Sequence, residues 1–184
     1  MAKRLVDIVI SILLIPPALV VCSLAAVAIW LDMKANPLFI QERVGRRRRP
    51  FRLVKMRTMP PATPHLPSHE VGGAAISKTG TWLRRLKIDE LPQLWCVLRG
   101  DMSLVGPRPC LASQIELIEE REKHGVFDAR PGITGLAQIR GVDMSTPAKL
   151  ATIDADYVGN RTMTQDFEIL LLTVTGSGRG DAAA

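Results

Sequence analysis

The chain has 184 residues, enough for one core of ordinary domain size rather than two, and a formal net charge of +6 at pH 7. With 47% hydrophobic residues it is not a disordered chain, and its three cysteines, Cys22, Cys96 and Cys110, share no spacing that suits a disulfide framework or a thiolate metal site. The charge is uneven: residues 41–57 carry eight basic side chains against one acid, Glu42, so this block is net +7 and the remainder is close to neutral. Such a block argues for a local anionic partner, whether phosphate, nucleic acid or a membrane surface.

Residues 8–31 contain no charge. Ala25-Ala26-Val27-Ala28 could mimic a signal-peptide cleavage site, but the apolar stretch is too long for one, and Val21 is too bulky before Cys22 for lipoprotein processing. Basic residues flank both ends, Lys3 and Arg4 before and Lys34 with the 41–57 block after, so both ends prefer the cytoplasmic side. Pro16-Pro17 near the middle predicts a bend, because neither residue offers an N–H to the helix. Each arm, 5–15 and 18–31, is about 16 to 21 Å long, short of the roughly 30 Å hydrocarbon core. The expectation is a re-entrant helix-break-helix with Pro16 and Pro17 as the membrane break, against the alternative of one kinked spanning helix. Asp7 is expected to pair with Lys3 four residues before it.

Leu38–Val44 and Phe51–Arg57 read as two strands of a hairpin around Gly45-Arg-Arg-Arg-Arg-Pro50. Arg46 to Arg49 are expected in a solvated tip near lipid headgroups. Lys55 and Arg57 alternate with Val54 and Met56, which places them on one strand face where they could meet a bound anion. The Pro/Gly-rich stretch 60–74 reads as a loop, with His65 and His69 on its surface.

Thr81–Leu86 reads as an amphipathic turn with Trp82, Leu83 and Leu86 inward and Arg84 and Arg85 outward. A second helix is expected to begin near Asp89, with Asp89 as its cap and Pro92 in its first turn. The helix dipole would then favour the ionised forms of Asp89 and Glu90, while Leu91, Leu94, Trp95 and Leu98 face the core. An Asp-Glu pair before a helix is by itself ordinary capping. Its neighbours make it a candidate site. Gly106-Pro107-Arg108-Pro109 restricts the backbone on both sides of one arginine, which suits bidentate phosphate binding. Arg130-Pro-Gly-Ile-Thr-Gly135 adds an arginine and two glycines whose N–H groups could approach an oxyanion.

Leu111–His124 reads as an amphipathic helix ending at Gly125, with Glu116, Glu119, Glu120 and Glu122 on a solvated face. Thr146-Pro147 starts another, with Leu150, Ile153 and Tyr157 on one side. Thr164 is expected to cap a last helix with Phe167, Leu170, Leu171 and Val174 inward, and these two helices are expected at the membrane surface. Asp154, Asp156 and Asp166 are secondary candidates for a metal site.

Over nearly its whole length the chain resembles the bacterial sugar transferase family, the monotopic phosphoglycosyl transferases. The likeness runs through Lys3-Arg4-Leu-Val-Asp7, Pro37–Gly45, Phe51–Met59, Asp89-Glu-Leu-Pro-Gln-Leu-Trp95, Arg99–Pro109 and Arg130–Gln138. It implies transfer of a sugar-phosphate from a UDP-sugar to polyprenyl phosphate, release of UMP, and use of magnesium. It also implies a bacterial inner-membrane protein on the cytoplasmic face, a homodimer being left open, in what looks like the minimal catalytic form. Lys87 departs from the family pattern, in which a small hydroxyl residue commonly stands two positions before the Asp-Glu pair.

The chemistry of the residues leads to the same reaction. A carboxylate is a competent nucleophile on phosphorus once local positive charge neutralises the phosphates. Asp89 is the expected nucleophile, and Glu90 either helps Asp89 hold magnesium or takes a proton from the acceptor. Arg108, Arg130, Lys55 and Arg57 are the expected phosphate contacts. The expected architecture is α+β and mostly helical, with a membrane helix over 1–34, a cytoplasmic catalytic domain with a small hairpin over 35–175, and a disordered tail over 176–184. No nucleic-acid partner is expected. The rival reading is a non-catalytic membrane adaptor whose basic hairpin binds anionic lipid, nucleic acid or an acidic protein.

Overall fold

The computed structural model describes residues 2–63 and 76–176. His65, His69 and residues 177–184 of the tail lie outside the described residues.

Helix α1 runs from Ala2 to Met33. At about 1.5 Å per residue it is roughly 48 Å long, and it is long and apolar enough to cross a membrane. Helical backbone continues through Pro16 and Pro17, so the expected break is not a break in secondary structure. The proline ring holds φ near the helical value, so the prolines remove donors without forcing the chain out of the helix. Asp7, Ser11, Ala18, Ala25 and Ile29 are buried, at spacings of four and seven that form one stripe. Ala18 joins a cluster with Phe51, Leu53 and Leu94, and Ala25 and Ile29 join Met56 and Leu83. Leu5, Val9, Ile12, Leu13, Leu19, Leu24 and Leu31 are exposed. Lys3 and Asp7 do not pair with each other. Lys3 Nζ donates to Asp166 Oδ2 at 2.7 Å, while Asp7 accepts from Ser103 Oγ at 2.8 Å and the Leu104 N–H at 3.2 Å. Burial favours the partners that satisfy Asp7 inside over a lysine at the rim.

Strands β1 (Leu38–Val44) and β2 (Pro50–Met56) form the expected antiparallel hairpin, from Leu38 opposite Met56 to Val44 opposite Pro50. Its arginine tip is docked, not free. Arg46 Nε donates to the Asp128 carbonyl at 2.8 Å, and Arg48 pairs with Glu122 at 2.7 Å.

Helix α2 (Lys78–Arg85) is capped by Ser77, whose hydroxyl accepts the Gly80 N–H. It buries Gly80, Leu83 and Arg84 and leaves Trp82 and Leu86 exposed, the reverse of the expected faces for three of these residues. Gly80 explains the choice. A Cβ there would come within 2.2 Å of the Thr58 carbonyl oxygen, so the helix contacts the chain through Gly80 and its i+3 and i+4 neighbours.

Lys87 then turns the backbone with φ of 55°, residues Ile88–Glu90 form a single 3-10 turn, and helix α3 (Gln93–Arg99) starts after Pro92 at its N-cap. The second helix therefore begins later than expected and Asp89 is not its cap. Trp95 is exposed, and the core face of α3 is Gln93, Leu94, Cys96 and Val97.

Strand β3 (Ser103–Val105) pairs in parallel with β4 (Gly132–Thr134), and helix α4 (Ile115–Lys123) lies in the crossover. Helix α4 starts four residues later than expected, since residues 111–114 are not helical. The chain ends in α5 (Leu136–Ile139), α6 (Pro147–Asn160) and α7 (Met163–Val174). Helix α6 starts at Thr146-Pro147 as predicted and buries Leu150 and Tyr157. The cap of α7 is Thr162, which accepts the Gln165 N–H at 3.1 Å, rather than Thr164. Phe167, Leu171 and Val174 face outward, because Asp166, held by Lys3 and by Tyr157 Oη at 2.6 Å, turns its own face and Ile169 inward. Met102, Leu104, Val105, Tyr157 and Ile169 fill the centre of the core between α1, α3, β3, α6 and α7. The architecture is the expected mostly helical α+β one with a small hairpin.

Candidate active site

Asp89 lies on the 3-10 turn between α2 and α3 with 7% of its surface exposed. Burial, reinforced by the Glu90 carboxylate, pushes its pKa up to about 6 against the opposing pull of Lys55, Arg84 and Arg108. The expected favouring of ionised Asp89 by a helix dipole is not found: Asp89 stands ahead of α3 and burial dominates. Burial also brings Lys55 down to about 8, with Arg43 adding to the effect and Asp89 opposing it. Lys55 comes from β2, where it sits opposite Phe39, its ammonium 5.5 Å from the ring centre. Arg84 comes from α2, anchored by Nε to Thr58 Oγ1 at 3.0 Å. Glu90 Oε1 accepts from Arg108 Nη1 at 3.0 Å. Two carboxylates thus stand among cations from three separate segments, an arrangement that can hold a diphosphate beside a carboxylate oxygen.

The backbone around Arg108 is fixed residue by residue. The Pro107 carbonyl accepts the Gly132 N–H at 2.9 Å, and the Arg108 carbonyl accepts Arg121 Nη1 at 2.8 Å. The Pro109 carbonyl accepts Arg43 Nη1 at 3.2 Å, and the Cys110 carbonyl accepts the Val44 N–H at 2.9 Å. Arg121 is itself almost wholly buried and donates from Nε and Nη2 to Asp154 Oδ2 at 3.0 and 2.6 Å. Gly132 approaches the Gly106 backbone so closely that a Cβ on it would lie 2.1 Å from the Gly106 nitrogen. This glycine serves backbone packing, with its N–H committed to Pro107, rather than an oxyanion nest.

Of the residues expected at the site, Asp89, Glu90, Arg108 and Lys55 come together. Arg57 shares the strand face of Lys55, the two cations lying 5.7 and 5.5 Å from the Phe39 ring centre, and its Nε and Nη2 donate to the Asn36 and Leu38 carbonyls. Arg130 donates from Nε to the Gly100 carbonyl and lines a separate cavity. Asp154 and Asp166 are taken by Arg121 and Lys3, and Asp156 by Asn160. The sequence reading missed Arg84, Arg43 and Arg121, all assigned to solvated surface or not singled out. Gly80, four residues before Arg84 on the same helix face, was the available sign that this face is internal.

Magnesium takes one or two carboxylates and completes its octahedron with water and substrate phosphate. Asp89 and Glu90 are a donor set of that kind. Among the described residues no group of three or more His, Cys, Asp or Glu side chains is placed to hold a metal, so any such ion would depend on substrate oxygens.

A family model described as bacterial sugar transferase matches residues 1–179. The chain is 39% identical over 181 residues to UDP-glucose:undecaprenyl-phosphate glucose-1-phosphate transferase of Caulobacter vibrioides, covering 94% of this chain and 68% of that protein. It is 38% identical over 172 residues to the uncharacterized sugar transferase EpsL of Bacillus subtilis, covering 94% and 85%. It is 32% identical over 179 residues to UDP-N-acetylgalactosamine-undecaprenyl-phosphate N-acetylgalactosaminephosphotransferase of Aeromonas hydrophila, covering 94% and 42%. A match over nearly the whole chain, joined to a buried carboxylate set among cations, leads to one conclusion: the chain belongs to the bacterial sugar transferase family and is a phosphoglycosyl transferase.

Proposed function

We propose that this enzyme transfers a sugar-phosphate from a UDP-sugar to polyprenyl phosphate through a covalent intermediate on Asp89. The observation that carries the reading is the buried Asp89 carboxylate facing Lys55, Arg84 and Arg108. With a pKa of about 6 it is mostly ionised at neutral pH yet poorly solvated, a favourable state for a nucleophile. An Asp89 oxygen attacks the sugar-bearing phosphorus, the bond from that phosphorus to the bridging oxygen breaks, and UMP leaves with the bridging oxygen. The acceptor phosphate oxygen then attacks the same phosphorus, and the aspartyl carboxylate departs unchanged. Lys55, Arg84 and Arg108 hold the phosphate oxygens through both steps, which is where most of the barrier lowering in phosphoryl transfer arises. Glu90 orients the Arg108 fork through their 3.0 Å bond, and either helps hold the metal or accepts a proton from the acceptor phosphate. Magnesium, held by Asp89 and Glu90 together with the diphosphate, would neutralise charge that develops on the leaving UMP.

The enzyme works from the cytoplasmic face of the bacterial inner membrane, with the exposed apolar face of α1 set into the lipid and both of its ends kept on the same side. What supports this is that both ends of α1 touch the one folded unit: Arg4 donates to the Leu98 carbonyl, and Asp32 accepts the Thr79 N–H. A helix crossing the bilayer would place those ends on opposite sides. Lipid therefore faces the exposed leucines of α1, and the acceptor phosphate lies at headgroup level.

The test is UMP release with magnesium, polyprenyl phosphate and a panel of UDP-sugars, beside labelling of the protein by a sugar-nucleotide radiolabelled in its β-phosphate. Wild type should release UMP and take up label, and Asp89→Asn should do neither. Retained labelling of Asp89→Asn would remove Asp89 as nucleophile, and no UMP with any sugar would return the chain to the adaptor reading.

A further inference from the structure

Beside the first turn of α1 is a cavity of about 290 Å³, at the lower end of the range for small-molecule pockets. Five cations from four segments line it: Lys3 and Arg4 from α1, Arg46 from the hairpin tip, Arg130 ahead of β4 and Arg161 after α6. Lys3 is neutralised by Asp166, and against the other four cations the lining sets only two acids, Asp7 and Asp128. Asp7 is engaged by Ser103 and the Leu104 N–H, and Asp128 gives Arg46 its backbone carbonyl. Arg46 and Arg130 are each anchored through Nε to a backbone carbonyl, Asp128 and Gly100 respectively. Their terminal guanidinium nitrogens remain available, a geometry suited to the oxygens of a phosphate.

This is not the catalytic site. Arg4 and Arg130 bond the Leu98 and Gly100 carbonyls at the carboxy-terminal end of α3, whereas Asp89 precedes that helix. Across Lys3, Asp7 and Val105 the cavity adjoins a shallow recess lined also by Val6, Met163, Leu170, the exposed Phe167 and Asp166, which binds Lys3. A cationic chamber beside the exposed apolar side chains Phe167 and Leu171 of α7 fits a ligand with an anionic head and a hydrocarbon tail. We propose that this cavity is a second anion site, which binds the phosphodiester headgroup of an anionic membrane phospholipid with its acyl chain against the exposed face of Phe167. The occupant is a bilayer lipid rather than the acceptor, because an acceptor phosphate held here would lie at the wrong end of α3 for Asp89. The proposal rests on reading α1 as a membrane helix, and its test is independent of turnover.

The experiment is thermal unfolding of the full chain in a nonionic detergent, titrated with dioctanoyl phosphatidylglycerol, dioctanoyl phosphatidylcholine, inorganic phosphate or a short polyprenyl phosphate. Ligand bound only to the folded state raises the melting temperature in proportion to the logarithm of its concentration. Phosphatidylglycerol should raise it by several degrees in wild type and in Asp89→Asn, and phosphatidylcholine and inorganic phosphate should not. Arg46→Gln/Arg161→Gln should lose the response. Arg161→Gln alone, which removes an exposed guanidinium and leaves the fold intact, should weaken it severalfold. An equal shift with phosphatidylcholine or inorganic phosphate, or a full response in the double variant, overturns the lipid assignment. A response lost in Asp89→Asn would assign the ligand to the catalytic site, and a polyprenyl phosphate response abolished only by the double variant would make the cavity the acceptor site.

Discussion

The burial of Asp89 costs the fold stability wherever that carboxyl is ionised. Its pKa is raised from 3.8 to about 6, so the folded protein holds that proton more tightly than the unfolded chain does. Stability must then fall as pH rises from about 4 through about 6, with the full penalty present above that window. An asparagine at this position would mimic the neutral acid and escape the penalty. Metal-free and substrate-free Asp89→Asn is expected to melt on the order of 5 to 10 °C above wild type at pH 8 and to converge with it near pH 4. Melting curves across that range check this, and a difference independent of pH would show that burial is not what perturbs Asp89. From the sequence Asp89 and Glu90 were legible as a candidate site because arginines accompany them. The raised pKa was not legible, since it depends on the 3-10 turn that Lys87 opens by taking a left-handed φ, a conformation no propensity assigns to lysine.

At the level of elements, Arg108 is positioned by a loop whose carbonyls are held from β1, α4 and β4. Arg121 is the support that carries charge, bonded to both Asp154 and the Arg108 carbonyl. Burial raises the Asp154 pKa although Arg121 opposes it. Asp154→Asn would leave the Arg121 charge buried without a counter-charge, at a cost of about 3 to 5 kcal/mol. Chemical denaturation should register that loss, while Glu119→Gln on the exposed face of α4 should change the midpoint little. An equal loss in both would mean that the Arg121 pair is not internal. Helix α4 was legible from its amphipathic pattern and its stop at Gly125, whose φ is 66°. Arg121 was not, because an arginine on an acidic helix reads as solvated until the helix is docked. Helix α7 shows the same limit: its apolar residues were assigned inward, yet Asp166 and Ile169 take that face because Lys3 and Tyr157 supply partners that no local window contains.

Over the whole molecule, the hairpin, the order of helices and the apolar α1 could be read in advance because each follows from short-range periodicity. How α1 lies against the rest could not. Its seam of Asp7, Ser11, Ala18, Ala25 and Ile29 mixes polar and small residues, and hydropathy alone does not separate such a seam from lipid-facing surface. The seam predicts that Ala18→Trp, which forces a large ring between α1 and the cluster of Phe51, Leu53 and Leu94, lowers the melting temperature by several degrees. Leu19→Trp on the exposed face should change it little. Equal losses would mean that α1 does not pack as described.

The four carbonyls at 107–110 have a bearing on how the enzyme is made. Their donors belong to residues 132, 121, 43 and 44, so a chain still emerging from the ribosome can complete the arginine loop only after β4 has been synthesised. The pair of Lys3 with Asp166, 163 residues apart in sequence, is later still. Closing contacts this distant costs loop entropy before any contact rewards it, which slows folding. The apolar helix is therefore synthesised well before the arginine loop can be completed, so a prematurely terminated chain would carry α1 without the contacts that hold Arg108 in place.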